Sequence, residues 1–283
     1  MPGEQLQSVP LRHGGRDRPY VLRAPPGAGG LLPLVVELHG RGSNPVRFDL
    51  WTGFSRKAAT AGFVLALPAG VGRIWNDGRD EERIDPDDVS YLVALIDDAV
   101  RHRRVDPARV YMVGMSNGAA MTGRVAIEHG DRLAAVAQVA GTASAALAAR
   151  TPPRAPVPLL HIHGTADRLA PYEGGARRGL VGRALIRRPW GGSIGVEEWL
   201  GLWAKANGAS GPQEEPSGAG DVAKRVWTGA AAGNDVVAYR IEGGGHTWPG
   251  SRRQPPRWLL GRTSYGIDAT SVIWEFFHQR TRS

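Results

Sequence analysis

The chain has 283 residues, 42% of them hydrophobic, enough for one large core and unlike the compositions of fibres, collagen or disordered chains. Its formal charge of +8 comes from basic residues that are scattered, with only doublets such as Arg103-Arg104 and Arg187-Arg188, so a solvated surface is expected rather than a nucleic-acid footprint. Zero cysteines exclude disulfides, thiol nucleophiles and thiolate metal sites, while Met1 to Pro10 lacks a leader pattern and no run is long enough to span a bilayer, so a soluble chain is expected.

Tyr20 to Leu22 reads as extended, and Leu34-Val35-Val36-Glu37-Leu38 as a buried strand stopped by His39-Gly40-Arg41-Gly42. Apolar residues at helical spacing predict a helix over Phe48 to Ala61, closed by Gly62, then a strand from Phe63 to Leu67. Gly70 to Asp87 is polar and irregular. Val89, Leu92, Val93, Leu95, Ile96 and Val100 mark an Asp-capped amphipathic helix over Asp88 to His102. Strand Val110 to Val113 runs into Gly114-Met115-Ser116-Asn117-Gly118 and an alanine-rich helix ending near His129.

Ala134 to Val139 and Leu159 to Ile162 are two more strand candidates, the second leading into His163-Gly164-Thr165-Ala166-Asp167. Arg168 to Gly192 is long, basic and glycine-rich, a functional loop or small cap; Val196 to Ala206 resumes a helix. Asn207 to Gly220 reads as a surface loop, Val222 to Trp227 and Val236 to Ile241 as strands, and Asp268 to His278 as a closing helix. Such alternation predicts one α/β domain over residues 1–283, a mostly parallel sheet with helices on both faces and excursions at 168–192 and 250–263.

Flanking glycines between a strand and a helix allow a tight turn that lifts a serine hydroxyl from the backbone, which makes Ser116 the candidate nucleophile. A serine hydroxyl needs a neighbouring base. His246, late in the chain and directly after a strand, fits that role. His161 and His163 bracket a strand end and read as structural, His39 organises its glycine turn, and His278 ends a helix. Asp167 is the candidate partner that fixes the imidazole tautomer; Asp221 and Asp235 compete from surface turns. Two backbone donors must face a developing oxyanion, and the fold would draw them from Asn117 and Arg41, with Gly42 the alternative to Arg41. Trp75, Asn76 and Trp248 are substrate-side candidates, against a competing role in core packing, while Trp199 and Trp203 at helical spacing read as packing.

Together, Leu38-His39-Gly40 with Ser43-Asn44, Trp75-Asn76, Gly114-Met115-Ser116-Asn117-Gly118, His163-Gly164-Thr165-Ala166-Asp167 and His246-Thr247-Trp248-Pro249-Gly250 resemble the polyhydroxybutyrate depolymerase family of the α/β-hydrolase superfamily, which includes feruloyl and acetylxylan esterases. The resemblance runs from about Leu32 to the C-terminal helix, and Thr-Trp-Pro-Gly after the histidine is its most discriminating motif. It implies a carboxylic ester hydrolase that needs no cofactor or metal, acts on a small ester or a polyester, and works in a secreted or periplasmic setting, although no leader is seen and a cytoplasmic one stays open. Family members often carry cysteines where this chain has Arg41 and Ile74, so a disulfide-stiffened site is not expected. The rival readings are a serine peptidase of the same fold and a polymer-binding protein with an inactive triad.

Overall fold

Apolar runs rich in Val, Leu and Ile form the centre of one ten-stranded sheet in the computed structural model, which describes residues 7–25, 30–79, 85–149, 155–175, 192–217, 220–231 and 233–282. In chain order the elements are β1 (Gln7–Val9), β2 (Arg12–His13), β3 (Arg16–Asp17), β4 (Tyr20–Arg23), β5 (Leu32–Leu38), α1 (Pro45–Thr52), α2 (Phe54–Ala61), β6 (Val64–Leu67), α3 (Asp88–His102), β7 (Val105–Met115) and α4 (Asn117–His129). There follow β8 (Ala135–Val139), α5 (Ala145–Ala148), β9 (Leu159–Gly164), α6 (Val196–Ala206), β10 (Ser210–Glu215), β11 (Val222–Thr228), β12 (Val236–Ile241), α7 (Arg257–Leu260) and α8 (Ala269–His278).

The sheet order is β1-β4-β6-β5-β7-β8-β9-β12-β11-β10. Its six inner strands, β6 to β12 in that order, are parallel, and an antiparallel pair closes each edge. Parallel strands joined by helices must be covered on both faces. Leu34, Val36 and Leu38 of β5 therefore pack with α3, α4 and α6, whereas Val35 packs with α1, α2 and α8. This is the expected α/β-hydrolase architecture. Among the described residues no helix is long and apolar enough to cross a membrane.

Several local expectations change. The helix over Phe48 to Ala61 is two helices, because Gly53 takes φ 73° and breaks the run between α1 and α2. Asn44 caps α1 by accepting the Arg47 N–H at 2.9 Å, four residues before the expected start. Within Asn207 to Gly220 lies β10, an edge strand whose six residues are all exposed and so lack the alternation that marks a strand. Of the expected excursion at 168–192, residues 176–191 lie outside the described residues.

Strand β7 and helix α4 approach β5 so closely that side chains are excluded. A β-carbon on Gly118 would lie 2.3 Å from the Leu38 carbonyl oxygen, and one on Gly114 would lie 2.2 Å from the Gly118 carbonyl oxygen. Backbone cannot yield as a side-chain tip does. Gly118→Ala is therefore expected to cost about 3 kcal/mol and to lower Tm by roughly 6–12 °C in a thermal melt; an unchanged Tm would contradict this packing.

Candidate active site

Ser116 sits where β7 turns into α4, with φ 59° and ψ −119°. A β-carbon resists this backbone, and surrounding structure holds it there. The Ser116 N–H donates to the Val139 carbonyl at the end of β8 (2.9 Å), and its own carbonyl accepts the Ala120 N–H (3.0 Å). Gly141 leaves room for that carbonyl, since a β-carbon there would stand 2.5 Å from it. The strained serine is thereby clamped between two strands and a helix.

Asp167 follows β9 and His246 follows β12, the adjacent parallel strand. Backbone bonds join the two loops: Thr165 N–H donates to Ile241 O and Ala166 N–H to Gly244 O, both at 2.9 Å. His246 Nδ1–H then donates to Asp167 Oδ2 at 2.7 Å, while Asp167 Oδ1 accepts the N–H groups of Leu169 and Ala170, each at 2.8 Å. Burial alone would raise the Asp167 pKa, but the charge and hydrogen bond of His246, with the Ala170 N–H, outweigh it and hold the carboxyl below its ordinary range.

Behind this pair runs a chain of two further buried histidines, His163 and His161. His163 Nε2 lies 2.8 Å from the Ala170 carbonyl and 3.6 Å from Asp167 Oδ2, and its Nδ1 lies 3.2 Å from His161 Nε2. A carbonyl only accepts, so His163 carries its proton on Nε2. His161 must then donate through its own Nε2, leaving its Nδ1 a bare lone pair with no partner among the described residues. Burial pushes both histidines down, His161 well below the ordinary range, so both are neutral.

On the opposite side, His39-Gly40-Arg41-Gly42 brings backbone toward Ser116; Gly40 would place a β-carbon 3.5 Å from the serine's. The Gly42 N–H is committed to the Arg73 carbonyl at 2.8 Å. Of the two candidate donors on this turn, Arg41 is therefore the one compatible with an oxyanion. Asn117 is the first residue of α4, where N–H groups have no intrahelical acceptor. Its side chain has a separate task, accepting the Trp75 N–H at 2.7 Å and donating to Trp75 O at 3.1 Å and to Asp77 at 2.8 Å.

Trp75, Asn76 and Trp248, expected on the substrate side, are buried and do not line the cleft. Trp75 donates through Nε1 to the His39 carbonyl (2.9 Å) and packs on the His39 ring, bracing the Arg41 turn from behind. Asn76 donates to Pro86 O (3.1 Å) and accepts from Arg124. Trp248 donates to Thr270 Oγ1 (3.0 Å) between the edges of Phe48 and Phe54. With their polar ends satisfied inside the protein, these side chains position the site's loops.

Ser116 and His246 open onto a cleft of about 320 Å³, walled by Phe48, Trp51, Met115, Leu169 and Leu260 and floored by the turn Gly40-Arg41-Gly42-Ser43. None of these apolar walls was picked out from the sequence. Leu260 comes from the expected excursion at 250–263, which folds back as a strap: its carbonyl accepts the His246 N–H at 2.6 Å, and Arg262 O accepts the Gly245 N–H at 2.8 Å. Among the described residues no cluster of three or more His, Cys, Asp or Glu is placed to hold a metal ion.

A family model described as Esterase PHB depolymerase matches residues 18–152. NocK of Nocardia uniformis subsp. tsuyamanensis, a protein assigned as an esterase, is 35% identical over 93% of this chain and 79% of its own length. Feruloyl esterase B of Piromyces equi is 25% identical over 81% of this chain, which spans 42% of that protein. The structure of an acetyl xylan esterase from Aspergillus awamori superposes with a TM-score of 0.59 at 13% identity, covering 81% of this chain and 89% of that one, a likeness of fold.

The two neutral histidines make stability depend on pH. Their pKa values are lowered by folding, so the stability they permit is present above the unfolded value near 6.5 and is lost as pH falls, when the unfolded chain takes up protons the folded chain refuses. His161→Phe removes one such site. Urea unfolding between pH 6.5 and 5 is expected to show a slope flatter by up to about 1.4 kcal/mol per pH unit; an unchanged slope would mean that His161 is protonated in the folded protein.

Proposed function

Since the chain belongs to the PHB depolymerase family of esterases and is a serine carboxylic ester hydrolase, we propose that Ser116, His246 and Asp167 are the residues that carry the reaction. The observation behind this assignment is that a serine on a strained strand-to-helix turn and a histidine bonded at 2.7 Å to a buried aspartate open onto one apolar cleft. Ser116 Oγ attacks the ester carbonyl carbon while His246 Nε2 takes the hydroxyl proton, and Asp167 stabilises the imidazolium that results. The backbone N–H groups of Arg41 and Asn117 receive the charge that develops on the carbonyl oxygen. His246 returns its proton to the departing alcohol, and water, activated by the same imidazole, releases the acid from the acyl-serine.

The cleft volume lies at the small end of ligand pockets. It suits a short or aromatic acyl group, or a single ester unit of a longer polyester, with that group against Phe48, Trp51, Leu169 and Leu260. The proposal includes an exported setting, which the family resemblance supports.

Ser116→Ala is expected to lower kcat on p-nitrophenyl acetate by roughly 10⁴-fold or more while leaving the melting curve in place, because the alanine shortens the side chain without altering the glycines around it. Appreciable turnover by the purified variant would remove Ser116 from the mechanism. Hydrolysis of a peptide substrate at a rate comparable to that of the ester would instead favour the peptidase reading.

A further inference from the structure

The segments that frame the Ser116 cleft carry many arginines and almost no accessible acid. Residues 39–52, 70–76, 165–171 and 246–262 contain eight arginines and two acidic residues, Asp49 and Asp167. Both acids are buried and committed, Asp49 to the backbone and hydroxyl of Ser55 at 2.8 and 2.6 Å, and Asp167 to His246. Seven of the eight framing arginines are exposed; the eighth, Arg262, is half-buried and paired with Asp221 at 2.7 Å, so it adds no free charge to the rim. Arg41 itself lines the cleft. Arg47 holds its guanidinium 6.0 Å over the ring of Trp51, a cleft wall.

Arg73 lies behind the same turn, where its charge adds to burial in lowering the His39 pKa. Arg168 directly precedes Leu169, and Arg257 stands one helical turn before Leu260 on the same face of α7. Neither has an acidic partner among the described residues. Charges of one sign around a narrow apolar cleft focus their field into it, because the low-dielectric walls screen poorly. Such a rim disfavours a cationic ester, is indifferent to a neutral one, and draws an anion to the carbonyl.

We propose that the preferred substrates of this site are esters bearing a negative charge, a carboxylate on the acyl or alcohol side away from the scissile bond, drawn in and oriented by the arginine rim. This rests on the reading of Ser116 as an ester-cleaving nucleophile. The carboxylate belongs either to a small free monoester or to an acidic polymer that carries the ester as a substituent, and the chemistry of recognition is the same for both.

The test compares mono-p-nitrophenyl glutarate with p-nitrophenyl valerate, whose acyl chains have the same length and differ in charge. At low salt the anionic ester is expected to have the higher kcat/KM, by roughly tenfold. Raising NaCl from 20 to 500 mM should shrink that ratio by roughly fivefold or more. The double substitution Arg168→Gln with Arg257→Gln should reduce the ratio by a similar factor, whereas Arg101→Gln on distant α3 should not. Acetate release from acetylated polygalacturonic acid against acetylated xylan separates the sources. Preference for the acidic polymer assigns the charge to a polymer, and no such preference assigns it to a free monoester. Equal or better use of the neutral valerate ester at low salt would overturn the rim proposal, as would a preference that neither salt nor the double substitution shifts. Failure to hydrolyse either ester would overturn the underlying assignment of Ser116 instead.

Discussion

At Ser116 the backbone bends back from a buried parallel strand into a helix at a positive φ, and three glycines around it are stripped to bare backbone so that it can. Gly114 and Gly118 let β7, α4 and β5 touch, and Gly141 admits the serine carbonyl. The same device recurs on the histidine side. A β-carbon on Gly164 would lie 2.3 Å from Gly244 O, and one on Gly245 only 2.1 Å from Leu260 O. Contacts between main chains, which have no rotamers to choose from, thus fix the places from which Ser116, Asp167 and His246 project. The rigidity suits a site whose groups must be held close to their working geometry.

A second feature is the layering of polar groups beneath the cleft. Asp167 is buried, a position that would ordinarily neutralise it, and it stays ionised because every oxygen is met by a donor. His163 and His161 extend that network inward while staying neutral, so no second positive charge competes with the one that forms on His246. On the far side, Asn117 spends its side chain on the Trp75 backbone and Trp75 spends its indole N–H on His39. The Arg41 turn is in this way tied to the helix that begins at the nucleophile.

Much of this was legible in the amino-acid sequence, for identifiable reasons. Helix α3 announces itself through long apolar periodicity, α4 through its alanine-rich run and α6 through Trp199 and Trp203 at helical spacing, and Ser116, Asp167 and His246 stand at the ends of buried apolar runs, where a parallel sheet exposes its loops. What escaped has physical causes as well. The edge strand β10 buries nothing and so carries no pattern. Gly53 looks like any interruption until its φ is known. Trp75 and Trp248 resemble substrate platforms because an indole offers the same flat face to a ligand and to a core, and only the partner of its N–H decides. The cleft walls, Phe48, Trp51, Leu169 and Leu260, come from four separate places in the chain whose convergence depends on tertiary contacts alone.

The central claim is that the hydroxyl of Ser116 becomes covalently acylated. The most direct measurement is to incubate the protein with a p-nitrophenyl alkylphosphonate, which mimics the tetrahedral adduct, and to map the modified peptide by mass spectrometry. A single phosphonyl group on the peptide containing Ser116, with stoichiometric loss of esterase activity, is the predicted result. A label on any other residue, or full inactivation without modification of Ser116, would contradict the account.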